Sequence, residues 1–288
     1  MIKEIPTVPD MSTGSAHQHT RSLRRGEEVW AEAMISTHLG LEVGQCDDGS
    51  QDGMYDLKIT LPDGSHAAVE VTSSADADSI ETWKLMNGKG QAWIFPELRG
   101  GWLVTVHPTA RVRKLRQLLP MFLGRLERTG ITETGAWRDP KWVESVSKSL
   151  GVVTTHQSDT DRPGSVYLTI ELPAERSGGA VPSHGDSIAE WIGRFLHEPQ
   201  QRDVLDKLRR SGATQRHAFV LLPGFTLAPW PVPYLLMSDS MPLPRIIPEL
   251  PPEITHIWIA STWNTPTGVH WSPESGWEHF FKERQQGC

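Results

Sequence analysis

Apolar residues recur at helical spacing between Ser22 and Leu39. Trp30, Ala33, Met34 and then Leu41 form one stripe, and Gly40 stands where a helix terminator belongs. Counting back seven residues from Met34 and three from Trp30 places Glu27 on or beside that stripe and turns Glu28 further round. The pattern then changes period. Leu57 to Leu61 and Ala67 to Thr72 are short β-prone runs separated by Pro62-Asp63-Gly64-Ser65, the turn chemistry of a tight hairpin.

Beyond the hairpin, a short helix is predicted over Asp76 to Met86, strands over Ala92 to Phe95 and Trp102 to Val106, and a helix over Arg111 to Arg128 that tolerates Pro120. The second half predicts an amphipathic segment from Asp139 to Leu150, strands at Val152 to Thr155 and Val166 to Leu172, and helices at Ile188 to Leu196 and Gln200 to Arg210. A strand at His217 to Leu222 leads into Pro223 to Pro252, whose nine prolines predict extended or turn backbone, and a last strand is expected at His256 to Ala260. Residues 1–20 show no periodicity and read as a polar arm, and Ser177-Gly178-Gly179-Ala180 is the best linker candidate.

Alternation along the second hairpin strand sends Val69 and Val71 to one face and Ala68, Glu70 and Thr72 to the other. With a three-residue loop, Leu61 lies opposite Ser65 and Asp56 lies opposite Glu70, whereas a loop of two or four residues shifts the pairing by one. Facing carboxylates repel and raise each other's pKa unless a cation sits between them. A hard divalent ion such as Mg²⁺, held by Asp56 and Glu70 with Glu27 orienting a bound water, resolves the conflict. The bland alternative stands beside it: Asp56 as a strand-start cap and Glu70 as a solvated residue on a polar strand face.

The remaining composition narrows the function classes. The 38% apolar and 22% charged residues describe a folded protein, and the two cysteines, Cys46 and Cys288, offer neither a disulfide framework nor a Cys-rich zinc site. No apolar run approaches the roughly 20 residues of a membrane span and no secretion signal opens the chain, so a cytoplasmic protein with no membrane partner is expected. The net charge of −7 excludes a surface that is basic overall, but not a local basic face. Two such clusters exist, Arg111, Arg113, Lys114 and Arg116 on one predicted helix and Arg202, Lys207, Arg209, Arg210 and Arg216 further on, able to line one groove or simply to be solvated. The twelve Trp are read mainly as core, and His217 as a core histidine hydrogen-bonded to backbone.

Gly26-Glu27, Gly53-Met54-Tyr55-Asp56 and Val69-Glu70-Val71-Thr72 together resemble the PD-(D/E)XK nuclease superfamily, in which a helix begins Gly-Glu and a hairpin reads Gly-x-x-Asp, then Val-Glu-Val-Lys. The resemblance spans roughly residues 22 to 110. It implies an α/β fold with a restriction-endonuclease-like mixed sheet flanked by helices (a core at 21–130), leaving an additional α+β region at 131–288. It also implies a nuclease, acting on DNA, in which Asp56 and Glu70 hold Mg²⁺ or Mn²⁺ and Glu27 assists. Thr72 stands where the family has its lysine, and Lys58 or Lys84 are the candidates to replace that amine. The rival expectation is a catalytically inactive nuclease fold used as a nucleic-acid or protein binding module. The second half is similar to uncharacterised actinobacterial proteins through Arg216-His217-Ala218-Phe219 and Gly276-Trp277, which implies shared architecture only.

Overall fold

The computed structural model describes residues 25–50, 52–88, 93–135, 138–158, 162–238, 240–263 and 265–282. The arm expected at residues 1–20 lies outside the described residues. In chain order the first stretch holds α1 (Gly26–Leu39), β1 (Val43–Gln45), β2 (Leu57–Thr60) and β3 (His66–Ser73). The middle stretch holds α2 (Ala77–Asn87), β4 (Trp93–Ile94), β5 (Gly101–Val106), α3 (Val112–Arg128), β6 (Glu133–Thr134), α4 (Lys141–Leu150), β7 (Val152–Ser158) and β8 (Ser165–Ile170). The last comprises α5 (Ala174–Ser177), α6 (Asp186–Leu196), α7 (Arg202–Arg210), β9 (Arg216–Leu222), α8 (Pro231–Leu236), β10 (His256–Ser261), β11 (Thr267–Ser272) and β12 (Gly276–Phe281).

The fold is mixed α/β, with two mixed sheets flanked by helices. A seven-stranded sheet runs β1-β2-β3-β9-β10-β11-β12 and a five-stranded sheet runs β4-β8-β5-β7-β6. In the larger sheet β3, β9 and β10 are parallel and the flanking pairs antiparallel. The parallel strands lie at the centre, and β9 and β10 are buried almost throughout, as strands covered on both faces must be. One face packs against α1 through Met34, Ile35, Val69, Val71, Phe219 and Trp258. The other packs against α6, α7 and α8 through residues such as Ala68, Ile192, Leu208, Ala218 and Leu235. The smaller sheet shares its own core with α3 and α4, including Trp102, Val104, Leu119, Leu123 and Val143.

The break expected near residue 130 is therefore not where the sheets divide. The 21–130 stretch supplies strands to both sheets, and so does 131–288. The hairpin β2–β3 acquires its parallel neighbour from β9, with Glu70 beside Ala218 and Thr72 beside Val220. Chain proximity is a poor guide here because parallel neighbours need a crossover, and this one contains the whole smaller sheet. The Ser177–Ala180 stretch falls between β8 and α6, where the chain returns to the larger sheet.

Two further differences have local causes. The proline-rich stretch expected to be extended contains α8, whose Pro231 and Pro233 sit in the first turn, where a missing N–H leaves no helical bond unmade. The chain does not close on β10 but continues into the β11–β12 hairpin. Among the described residues no helix is long and apolar enough to cross a membrane.

Candidate metal and catalytic site

Local chemistry sets the hairpin register. Leu61 N–H donates to the Ser65 carbonyl at 2.9 Å, Gly64 adopts φ 82°, and Asp63 Oδ1 accepts from Ser65 N–H at 2.9 Å. The loop thus has three residues, and the ladder pairs Leu57 with Val69. One step further along, Asp56 stands opposite Glu70. Since Val69 and Val71 belong to the layer under α1 and Ala68 to the layer under α6 and α7, Glu70 and Thr72 turn toward α7 by strand alternation.

Both carboxylates are buried, each residue 2% exposed, so Glu70 is not the solvated residue of the bland alternative. They interlock with the opposite backbone: Asp56 N–H donates to Glu70 Oε1 at 3.1 Å, and Val71 N–H donates to Asp56 Oδ2 at 2.8 Å. The outer oxygens meet cations. Arg25 Nη2 donates to Asp56 Oδ1 at 3.1 Å, and Lys207 Nζ donates to Glu70 Oε2 at 3.3 Å.

The electrostatics follow from burial. Desolvation, then the facing Asp56, pushes Glu70 up to about 8 despite Lys207. Asp56 is raised by burial, although the Val71 N–H, Arg25 and Lys207 all oppose the shift. Burial pulls the Lys207 ammonium down, but Glu70 and Asp56 outweigh it and leave its pKa raised. At neutral pH the ion-free site therefore keeps a proton on Glu70 and a charge on Lys207. The donor set is oxygen-only, the kind a hard divalent ion takes, and an ion there would displace the Glu70 proton and compete with Arg25 and Lys207 for the carboxylates.

The other expected residues fall differently. Glu27 is exposed. Its neighbour Glu28 is buried, shares the stripe with Ala31, Met34 and Ile35, and hydrogen-bonds Arg25. The inward stripe is set by Ile35, and counting back seven from it gives Glu28. Lys58 is half-buried on β2, while Lys84 is exposed on α2, a helix packed against β8 and α3. The amine that reaches Glu70 is Lys207, a residue that sequence reasoning placed only in a basic cluster. A usable signal existed, because Val204 and Leu208 mark the buried stripe of α7 and Lys207 lies beside it. Thr72 contributes to this placement: its hydroxyl donates to Oε1 of the buried Gln201 at 3.1 Å, in the turn immediately before α7. Gly53, at φ 79°, lies where a Cβ would come within 2.4 Å of the Arg210 guanidinium.

The helices that carry most of the two basic clusters pack in different cores, α3 with the smaller sheet and α7 with the larger, and Lys207 of the second reaches the carboxylates. Arg111, Arg113, Lys114 and Arg116 lie on or at the start of α3, which belongs to the smaller sheet; Lys114 bonds the Ser149 carbonyl and Arg116 lies 4.7 Å from the Trp93 ring centroid. Arg216 is spent on the Ala213, Pro252 and Glu253 carbonyls. Trp93, Trp102, Trp191 and Trp258 are core residues.

His217 is buried as expected, but its partner is a side chain: Nδ1 accepts from Trp258 Nε1 at 3.1 Å, and among the described residues Nε2 has no partner. Burial, then the neighbouring His256 and His270, holds its pKa well below 6.5. A depressed histidine contributes stability above its unfolded pKa and loses it as pH falls. His217→Gln, which keeps an acceptor for Trp258, is expected to flatten the acid limb of urea-unfolding stability below pH 6.5 by up to about 1.4 kcal/mol per pH unit. An unchanged acid limb would refute this.

Searched against protein families, curated proteins and solved structures, the chain matches none.

Proposed function

We propose that this protein is a metal-dependent nuclease acting on DNA, with Asp56 and Glu70 holding Mg²⁺ or Mn²⁺ and Lys207 supplying the amine absent at Thr72. The observation that carries the reading is the delivery of Lys207 Nζ to 3.3 Å from Glu70 Oε2, beside a second buried carboxylate opposite it in the ladder. A bound divalent ion would polarise a phosphoryl oxygen and lower the pKa of a water. The protein's own groups divide the remaining work. Asp56 and Glu70 supply the oxygens, Lys207 stabilises negative charge on the phosphate, and Thr72 with Gln201 fixes the start of the helix that carries it. Arg111, Arg113, Lys114 and Arg116 are the proposed phosphate contacts of a longer DNA, through charge alone.

A specific observation favours a second reading, an inert nuclease fold that binds nucleic acid or protein. All four carboxylate oxygens already have protein donors, and both residues are closed from solvent. On this reading Arg25 and Lys207 permanently replace the ion.

Calorimetry with Mg²⁺ and Mn²⁺ followed by DNA cleavage, on wild type, Asp56→Ala and Glu70→Ala, separates the two. Binding and cleavage that vanish in both variants are the expected result. Wild type without site-dependent binding refutes the metal reading and supports the inert fold in which Arg25 and Lys207 stand in for the ion, and binding without cleavage refutes the nuclease activity while keeping the metal site.

A further inference from the structure

The opposite face of the larger sheet carries a row of imidazoles that the carboxylate site does not use. His217 on β9 and His256 on β10 stack at 4.2 Å between centroids, and His270 on β11 follows at 6.2 Å, nearly parallel. His270 also stacks on Trp258 at 4.0 Å and meets the edge of His38 at 5.5 Å. It is 4% exposed, yet among the described residues neither ring nitrogen has a hydrogen-bond partner. Native interiors rarely leave such atoms unsatisfied without a missing ligand or a function.

What surrounds those nitrogens is a ligand set. Glu278 on β12 pairs directly with His270 in the ladder, and its Oε2 lies 3.9 Å from His270 Nδ1. The Ser275 hydroxyl donates to that same Oε2 at 2.8 Å, orienting the carboxylate as an outer partner orients a metal ligand. His38 arrives from the last turn of α1. One donor atom from each of His38, His270 and Glu278 lies within 4.8 Å of the others. Tetrahedral ligands with bonds of about 2.0–2.1 Å stand roughly 3.4 Å apart, so modest rotations of Glu278 and His38 close the set.

We propose that His38, His270 and Glu278 form a second metal site, for a divalent transition-metal ion of the zinc class. Two imidazoles and one carboxylate select a borderline ion over Mg²⁺ and leave a fourth position for water. The ion clasps the C-terminal end of α1 to the β11–β12 hairpin at the sheet edge. The site is independent of Asp56 and Glu70: it lies on the α1 face, and β11 is three strand positions from β3, about 14 Å at roughly 4.8 Å per strand.

The test is Zn²⁺ titration by calorimetry, with thermal unfolding alongside, on full-length Asp56→Ala protein so that the carboxylate pair cannot contribute. One Zn²⁺ per chain, a raised melting temperature and no competition by Mg²⁺ are expected. His38→Ala and Glu278→Gln, which spare the buried His270, should each weaken binding at least about tenfold. Absence of Zn²⁺ uptake by the Asp56→Ala protein, or unchanged uptake when both substitutions are added, overturns the proposal.

Discussion

On the nuclease reading, replacing Lys207 by methionine is expected to lower metal-dependent DNA cleavage by about 10²–10³-fold, the usual cost of losing a group that stabilises developing negative charge, while divalent-ion binding persists. The methionine stem keeps most of the apolar packing of α7, so the loss isolates the ammonium. Without Lys207, Glu70 holds its proton more strongly, which prevents an unpaired buried anion and keeps the fold intact. A structural role for Lys207 predicts the same loss by a different route, and rescue separates the two. Thr72 is two residues beyond Glu70 on the same strand face, so Thr72→Lys added to Lys207→Met brings an amine back beside the carboxylates and should recover part of the cleavage. Single-turnover cleavage rates decide. A Lys207→Met enzyme as fast as wild type removes Lys207 from the chemistry, and loss without rescue assigns it to holding α7 in place.

The pairing of Asp56 with Glu70 was legible because everything that fixes it is local: the Pro62-Asp63-Gly64 loop, the Asp63 side-chain bonds and the two-residue alternation of one strand. The inward face of α1 was legible only to within one residue. Trp30, Ala33 and Met34 define a broad stripe, and only Ile35 and Ala31, both fully buried, tip it toward Glu28. Lys207 was beyond reach because it meets Glu70 across 137 residues of sequence, through a crossover holding the smaller sheet. The β11–β12 hairpin escaped because its strands carry Thr, His, Ser and Glu among the apolar residues, and its turn is built on Ser272 and Ser275 hydroxyls with glycine at its end. That segment, polar in sequence, supplies two of the three residues assigned to the zinc-class site.

Without a divalent ion Glu70 is expected to cost the protein stability as pH rises from about 4.5 to about 8, a cost that shows as a net loss above about pH 6.5. Its folded pKa of about 8 exceeds the ordinary 4.5 because of burial and the facing Asp56. Between those values the native state therefore binds more protons than the unfolded chain, and stability falls with pH. The slope approaches 1.4 kcal/mol per pH unit and the total is on the order of a few kcal/mol, shared with Asp56 and Lys207. His217 acts in the opposite sense below pH 6.5, so the two limbs place the ion-free optimum near neutrality on its acid side. Glu70→Gln keeps the size and the backbone acceptor but cannot ionise. Urea unfolding from pH 5.5 to 9 should show this variant more stable than wild type at the alkaline end and free of the fall that wild type shows between about pH 7 and 8. Excess Mg²⁺ should lift alkaline wild type, by neutralising the pair, and leave Glu70→Gln unmoved. A variant less stable than wild type at pH 9 would mean that Glu70 is ionised and well compensated by Lys207, which removes the electrostatic case for a divalent ion between these carboxylates.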